Sequence, residues 1–209
     1  MPTRVLLLRH AETADPSIFH GAESDVGLSG WGYQQAQITA LHLATYRPQV
    51  LISSAMTRAR ETAQPIATQC GLPVQVEPSL HERRVGLLSG TPTGGKDGPW
   101  PETLRRWMAG ETNYATPGAE SYDDIRERVV PIWERVTTTH TGRTIVIVAH
   151  GIVCRVLLLS LLPGHTPADW PRLGPIRNVA IHELVRESEA NPWQALRINA
   201  LPPGLEGGG

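Results

Sequence analysis

The sequence predicts an α/β domain built on a largely parallel central sheet, and three observations carry that prediction. Apolar runs at Val5–Leu8, Val50–Ser53, Val74–Val76 and Ile145–Ala149 are continuous rather than alternating, as in strands covered on both faces. Helix-periodic segments lie between them, the alternation that a parallel sheet requires. Two of the runs end directly on a histidine, Arg9-His10 and His150-Gly151, so both imidazoles fall just beyond the carboxyl ends of strands. Doubly wound sheets bind their ligands there.

Taken in order, the first apolar run gives way to a helix that Ser29 can cap and Pro48 ends, with Ala36, Ala40, Leu43 and Ala44 on one face. The run ending at Ser53 leads into a helix from Ser54 toward Cys70-Gly71, in which Pro65 is expected to introduce a bend. Ser121 with Asp124 forms a capping-box start, followed by Ile125, Val129, Ile132, Trp133 and Val136 at helical spacing, with a kink expected at Pro131. Ile152–Leu162 reads as a core helix stopped by Pro163-Gly164, and Val179–Val185 and Ala195–Ile198 as final strands. Residues 91–117, rich in Gly, Pro and Thr with a short helical piece near Glu102–Ala109, read as a lid insertion over the strand ends, and residues 201–209 as a flexible tail.

The chain of 209 residues suits a single domain over 1–209. Nineteen basic and twenty acidic side chains leave a formal net charge of -1, so no chain-wide field attracts nucleic acid or an anionic membrane. Any anion recognition must be local. The N-terminal apolar run is too short for a secretory h-region, no stretch approaches a membrane span, and Cys70 and Cys154, far apart in sequence, form neither CxxC nor metal spacing, so a cytoplasmic protein with reduced thiols is expected.

His10 follows a strand directly, so its ring can be aimed, and a neutral imidazole attacks phosphorus well when its other nitrogen is held by a hydrogen bond. A strand-end histidine that only satisfies a loop is the competing reading. Arg58 sits in the first turn of its helix, where a cation against the macrodipole costs roughly a few tenths of a kcal/mol. A bound phosphoryl group would give that placement a reason, since guanidinium groups match its oxygens and a helix N-terminus adds donors. A solvated charge at Arg58 and an Arg9–Glu12 ion pair are the alternatives. His150 before Gly151 could hold a phosphoryl oxygen as an imidazolium, and Glu82 in the loop Leu80–Gly86 is the best carboxylate for a general acid, unless it only pairs with Arg83 or Arg84. His10, His81, Glu82 and His150 would be conceivable metal ligands, but Arg9 and Arg58 beside them would repel a cation, so neither metal nor cofactor is expected.

Leu8-Arg9-His10-Ala11-Glu12-Thr13 resembles the RHG motif that opens the histidine phosphatase superfamily, which includes phosphoglycerate mutases. Further resemblances follow in the family's order: Leu28-Ser29 with Gly32 and Gln35-Ala36; Ser53-Ser54 with Arg58-Ala59 and Thr62-Ala63; Leu80–Gly90; Gly118–Ser121; and Val148–Arg155. The resemblance implies a phosphoglycerate mutase-like three-layer α/β/α sandwich and metal-free phosphoryl transfer. It also implies roles: His10 as the phosphorylated nucleophile, Arg9, Arg58 and His150 as the phosphate pocket, and Glu82 as proton donor. Two positions depart from the family pattern: Ala11 stands where Gly is usual, and Pro16 where Asn often contributes to the pocket.

A phosphomonoesterase acting through a phosphohistidine on a small phosphorylated metabolite is the favoured reading. The alternatives are a mutase, which must hold a carboxylate-bearing substrate and which Glu82-Arg83 with Lys96, Arg105 and Arg106 leaves open, and a non-catalytic phospholigand-binding domain. Trp100, Trp107 and Tyr114 are candidates to stack on or wall off a leaving group, or else merely pin the lid. Arg83 and Arg84 are candidates for a second anionic group of the substrate, against surface pairing with Glu77 or Glu82. Neither nucleic acid nor membrane is expected as a partner, and a homodimer is left open.

Overall fold

The computed structural model describes residues 1–93 and 98–205. Its strands are β1 (Thr3–Arg9), β2 (Val50–Ser54), β3 (Val74–Glu77), β4 (Thr144–Ala149), β5 (Ile181–Arg186) and β6 (Gln194–Ala200). Its helices are α1 (Gly30–Ala44), α2 (Thr57–Cys70), α3 (Pro99–Met108), α4 (Tyr122–Thr139) and α5 (Gly151–Leu161), with short 3-10 turns between some of them.

Strand alternation sorts the apolar runs onto two faces. Leu6, Leu8, Leu51, Val146 and Val148 pack with Ala40 and Leu43 of α1 and Ala59, Ala63 and Ile66 of α2. Val5, Leu7, Ile52, Ile145 and Ile147 face the other way, onto α4, α5 and Trp107 of α3. The result is the expected three-layer α/β/α sandwich.

The sheet order is β3-β2-β4-β1-β5-β6. β3, β2, β4 and β1 are mutually parallel, whereas β5 and β6 run antiparallel. β5 begins later than the sequence suggests because Val179 takes φ +51°, a left-handed conformation that branched residues avoid. Its N–H donates to the Arg9 carbonyl at 3.1 Å, which ties this turn to the end of β1. Pro65 and Pro131 are accommodated inside α2 and α4, each of which remains one helix.

Two segments that the sequence set apart are tied to the domain by packing. Within the 91–117 lid segment, residues 94–97, including Lys96, lie outside the described residues, and the expected short helix is α3, which anchors the segment. α3 drives Trp107, with no exposed surface, into the core, where its ring meets Tyr122 at 5.8 Å and Trp170 at 5.7 Å. The start of the 201–209 tail is also packed: Leu205 is buried among Ala11, Leu28, Ala36 and Val179. Residues 206–209 lie outside the described residues.

Candidate active site

Pairing between β1 and β4 runs as far as Arg9 opposite Ala149, and the His10 N–H donates to the Ala149 carbonyl at 2.9 Å. The two histidines therefore leave adjacent strands at one level, with ring centroids 5.2 Å apart. His10 Nδ1 lies 2.7 Å from the Ala11 carbonyl oxygen, an acceptor, so Nδ1 carries the hydrogen and the Nε2 lone pair is free. Burial, then the charges of Arg9 and Arg58, hold this imidazole well below the ordinary histidine range, against the raising effect of the Ala11 bond. It is neutral at pH 7.

The backbone at His10 is clamped from several elements. Asn178 Nδ2 donates to the His10 carbonyl at 3.0 Å. The Ala11 N–H donates to Thr62 Oγ1 of α2 at 3.0 Å. Glu12 accepts from the Ser29 hydroxyl at the start of α1, and its carbonyl lies so close to Gly32 that a side chain there would collide with it. Ala11, fully buried, is accommodated.

Arg58, buried despite its charge, donates to the Gly21 and Ser24 carbonyls at 2.7 and 3.0 Å. The loop that presents those carbonyls also caps α2, because Asp25 accepts from the Thr57 N–H at 2.7 Å. Arg9 donates to the Ile176 carbonyl at 2.6 Å, while its buried Nε has no partner among the described residues. The alternative for Arg9, an ion pair with Glu12, is not formed among the described residues.

His150 differs from His10. It is wholly buried and does not line the cavity described below; burial, Arg58 and His10 hold its ring well below the ordinary range. Its Nε2 lies 2.9 Å from Ser54 Oγ, and that same oxygen accepts from the Met56 N–H at 3.3 Å. The Ser54 hydroxyl can therefore donate to Nε2, an arrangement that goes with the tautomer carrying the ring hydrogen on Nδ1, an atom without a partner among the described residues. In that tautomer a neutral His150 donates through Nδ1, in place of the imidazolium donor that the sequence suggested.

Glu82 follows the 3-10 turn after β3. Its carboxylate accepts from the Arg83 N–H at 2.8 Å and from the Ile152 N–H, in the first turn of α5, at 3.3 Å. A cavity of about 850 Å³ opens here, lined by Arg9, His10, Arg58, Glu82, Arg83, Arg155 and Asn178 on its polar side. Ile18, Phe19, Trp100, Leu104, Met108 and Ile152 give it an apolar side. Of the aromatic candidates only Trp100 reaches it. Trp107 stands behind, donating its indole N–H to the Tyr114 carbonyl at 2.8 Å, and Tyr114 stacks on Arg106 at 4.2 Å. Arg105 and Arg106 pair with Glu102 along α3 rather than lining the cavity. Pro16 lines it without a side-chain donor.

Sequence reasoning missed Arg155 as a site residue and assigned nothing to His20, which also lines the cavity. A signal for Arg155 existed: it is the one charge in the otherwise apolar run of α5. Among the described residues no three His, Cys, Asp or Glu side chains gather as a metal ligand set, and no helix is long and apolar enough to cross a membrane.

Residues 5–200 match the family model of the histidine phosphatase superfamily, branch 1. A glucosyl-3-phosphoglycerate phosphatase of Mycolicibacterium vanbaalenii is 29% identical over 196 residues, covering 90% of this chain and 86% of that protein. A metal-independent phosphoserine phosphatase of Arabidopsis thaliana is 33% identical over 165 residues, covering 76% of this chain and 68% of its own. The solved complex of a mycobacterial glucosyl-3-phosphoglycerate phosphatase with inorganic phosphate superposes with a TM-score of 0.81 at 29% identity, covering 95% of this chain and 98% of that one.

Proposed function

We infer the reaction from one premise: the chain belongs to the histidine phosphatase superfamily, branch 1, and is a phosphomonoester hydrolase. The observation that carries the mechanism is the His10 tautomer. With its hydrogen fixed on Nδ1 by Ala11, the ring offers Nε2 to phosphorus without first losing a proton.

In the first step His10 Nε2 forms a bond to phosphorus as the ester oxygen departs on the opposite side, and Glu82 gives that oxygen a proton. In the second step water attacks the phosphohistidine and gives its proton to Glu82, releasing inorganic phosphate. Arg9 and Arg58 hold the equatorial oxygens, the arginines' buried charges being compensated by the dianion they bind. We assign His150, buried beside His10 with ring centroids 5.2 Å apart, the task of donating from Nδ1 to one of those oxygens, which requires the phosphoryl group to seat past the cavity floor against that ring. Holding these donors in place before substrate arrives is the protein's main contribution to rate.

The substrate is a small phosphorylated metabolite, in keeping with the names of the relatives. Two free cysteines, Cys70 and Cys154, fit a reducing compartment, and we place the enzyme in the cytoplasm.

The test is phosphate release from p-nitrophenyl phosphate in the presence of a chelator, with acid-quench trapping of the phosphoenzyme. We expect His10→Gln to lose the trapped phosphoenzyme and to slow turnover at least about a thousandfold. Turnover by His10→Gln within tenfold of wild type would refute the assignment.

A further inference from the structure

Glu120 and Arg128 have no part in the mechanism above, yet both grip the loop that presents Glu82. Glu120 belongs to the Gly118–Ser121 stretch and immediately precedes the capping box that starts α4; Arg128 follows inside that helix. The two side chains form a forked ion pair, with Arg128 donating to the Glu120 carboxylate oxygens at 2.7 and 3.0 Å. Burial opposes ionisation of Glu120, but the hydrogen bond and charge of Arg128 outweigh it and hold the carboxyl below the usual range. Among the described residues that line the cavity, neither member of the pair appears.

Residues 81–84 run without helix or strand, so their backbone groups must find partners outside regular structure. The ion pair supplies several of them. Downstream of Glu82, the Arg84 N–H donates to the Glu120 carboxylate at 2.8 Å, the Glu120 N–H donates to the Arg84 carbonyl at 2.9 Å, and Arg83 Nε donates to the Glu120 carbonyl at 2.8 Å. Upstream, Arg128 donates to the Ser79 carbonyl at 2.8 Å, and it reaches the carbonyl of Glu82 itself at 3.4 Å. His81 Nδ1 donates to that same Glu82 carbonyl at 2.7 Å. The Glu82 N–H, by contrast, has the Met56 sulfur at 3.5 Å, a weak acceptor. The chain is thus held on both sides of Glu82 by two residues of one helix and its cap.

A proton donor needs that kind of hold. It works only within hydrogen-bond reach of the departing oxygen, and a displacement of about 1 Å can cost roughly a hundredfold in rate. The Glu82 carboxylate is aimed by the N–H groups of Arg83 and Ile152, and the first of these stays in place because Glu120 holds Arg83.

We propose that the Glu120–Arg128 ion pair is a positioning device for Glu82, acting on the reaction by placing that carboxyl at the leaving oxygen and not by touching the phosphoryl group. This rests on Glu82 as the proton donor and adds to it the residues that aim it. Arg128 also contributes its charge to the field on His150, an influence that would weigh equally on every ester. Leaving-group dependence therefore separates the two effects.

The experiment measures kcat/KM for p-nitrophenyl phosphate, whose phenolate leaves readily without a proton, and for phenyl phosphate, whose phenolate does not. Arg128→Met should lower the value for phenyl phosphate by roughly tenfold to a hundredfold and that for p-nitrophenyl phosphate by less than about threefold. Glu82→Gln should show the same selectivity more strongly. Arg128→Met added to Glu82→Gln should leave the ratio of the two esters unchanged to within about twofold, because the pair then has no acid left to aim. Arg128→Lys, which keeps the charge but not the fork, should retain part of the phenyl phosphate activity. If Arg128→Met does not fold, the nearly isosteric Glu120→Gln decides, with a selective loss of at least about threefold for phenyl phosphate expected. Equal losses for both esters, or a further selective loss in the Glu82→Gln background, overturn the positioning role alone. A Glu82→Gln enzyme without leaving-group selectivity overturns Glu82 as the proton donor, and the positioning role with it.

Discussion

The floor of the cavity and its outer wall are built by different means. His10 and Arg9, with His150 buried behind them, are placed by the register of β1 against β4, and Arg58 by the β2–α2 junction, all within a few residues of a parallel strand end. Arg83, Trp100 and Arg155 are placed by aromatic packing among α3, α5 and the 3-10 turn at Pro167–Leu173, segments far apart in sequence. The floor meets the phosphoryl group, which every substrate shares; the wall meets the part that differs. A site divided in this way can change its substrate while leaving its chemistry alone.

Trp107 gives the most severe way to break that division. Trp107→Ala removes a fully buried indole from the junction of α3, α4 and the Trp170 turn and should destabilise the protein by about 3–5 kcal/mol, read as a fall in the urea midpoint. Because Trp107 supports Arg83 and Trp100 but touches no floor residue described above, discrimination among phosphate esters should change more than phosphoenzyme formation from an aryl phosphate. Equal losses in both would mean that floor and wall are mechanically one unit.

Protonation separates the two regions by a different route. The wall's arginines keep their charge throughout the acid range, whereas the floor depends on neutral histidines. Burial holds His10 and His150 well below the ordinary range, and His182 on β5 is held down to about 4 by burial and Arg155. For a histidine whose folded value is depressed, the unfolded chain binds more protons between the two values, so stability rises with pH across that window. Stability should therefore be full above about pH 6.5 and decline as pH falls toward about 4, with His182 alone contributing roughly 3 kcal/mol. Urea midpoints measured across that window check this; a flat profile would contradict the buried, neutral state of these rings.

The same contrast explains what the sequence could reveal. His10 and His150 were legible because an apolar run leading straight into a histidine states both burial and position, and Arg58 because its place against the helix dipole needed a reason. The wall was not. Trp100 and Trp107 sit in a Gly- and Pro-rich stretch whose partner, Trp170, carries no periodic signal linking it to them, so 91–117 read as a lid although α3 belongs to the core. Strand direction was also invisible: apolar content marks β5 and β6 as strands, but only pairing shows them antiparallel. Arg155 could have been found by the reasoning that found Arg58, as a charge where an apolar helix start does not call for one.

Ser54 supplies the smallest and most selective test. It touches neither the cavity wall nor the nucleophile, and its bond to His150 Nε2 is what puts the ring hydrogen on Nδ1. Ser54→Ala leaves His150 free to take the other tautomer, with no donor toward the phosphoryl oxygen, and should lower kcat by about tenfold, equivalent to roughly 1.4 kcal/mol of transition-state stabilisation. That loss should be the same for 3-phosphoglycerate, glycerol 3-phosphate and p-nitrophenyl phosphate, because the floor sees only the group they share. Ser54→Thr, which keeps the hydroxyl, should recover most of the rate. A Ser54→Ala enzyme that changed its ranking of the three esters instead would show that the floor also selects, and the division between the two regions would fail at the residue where it ought to be cleanest.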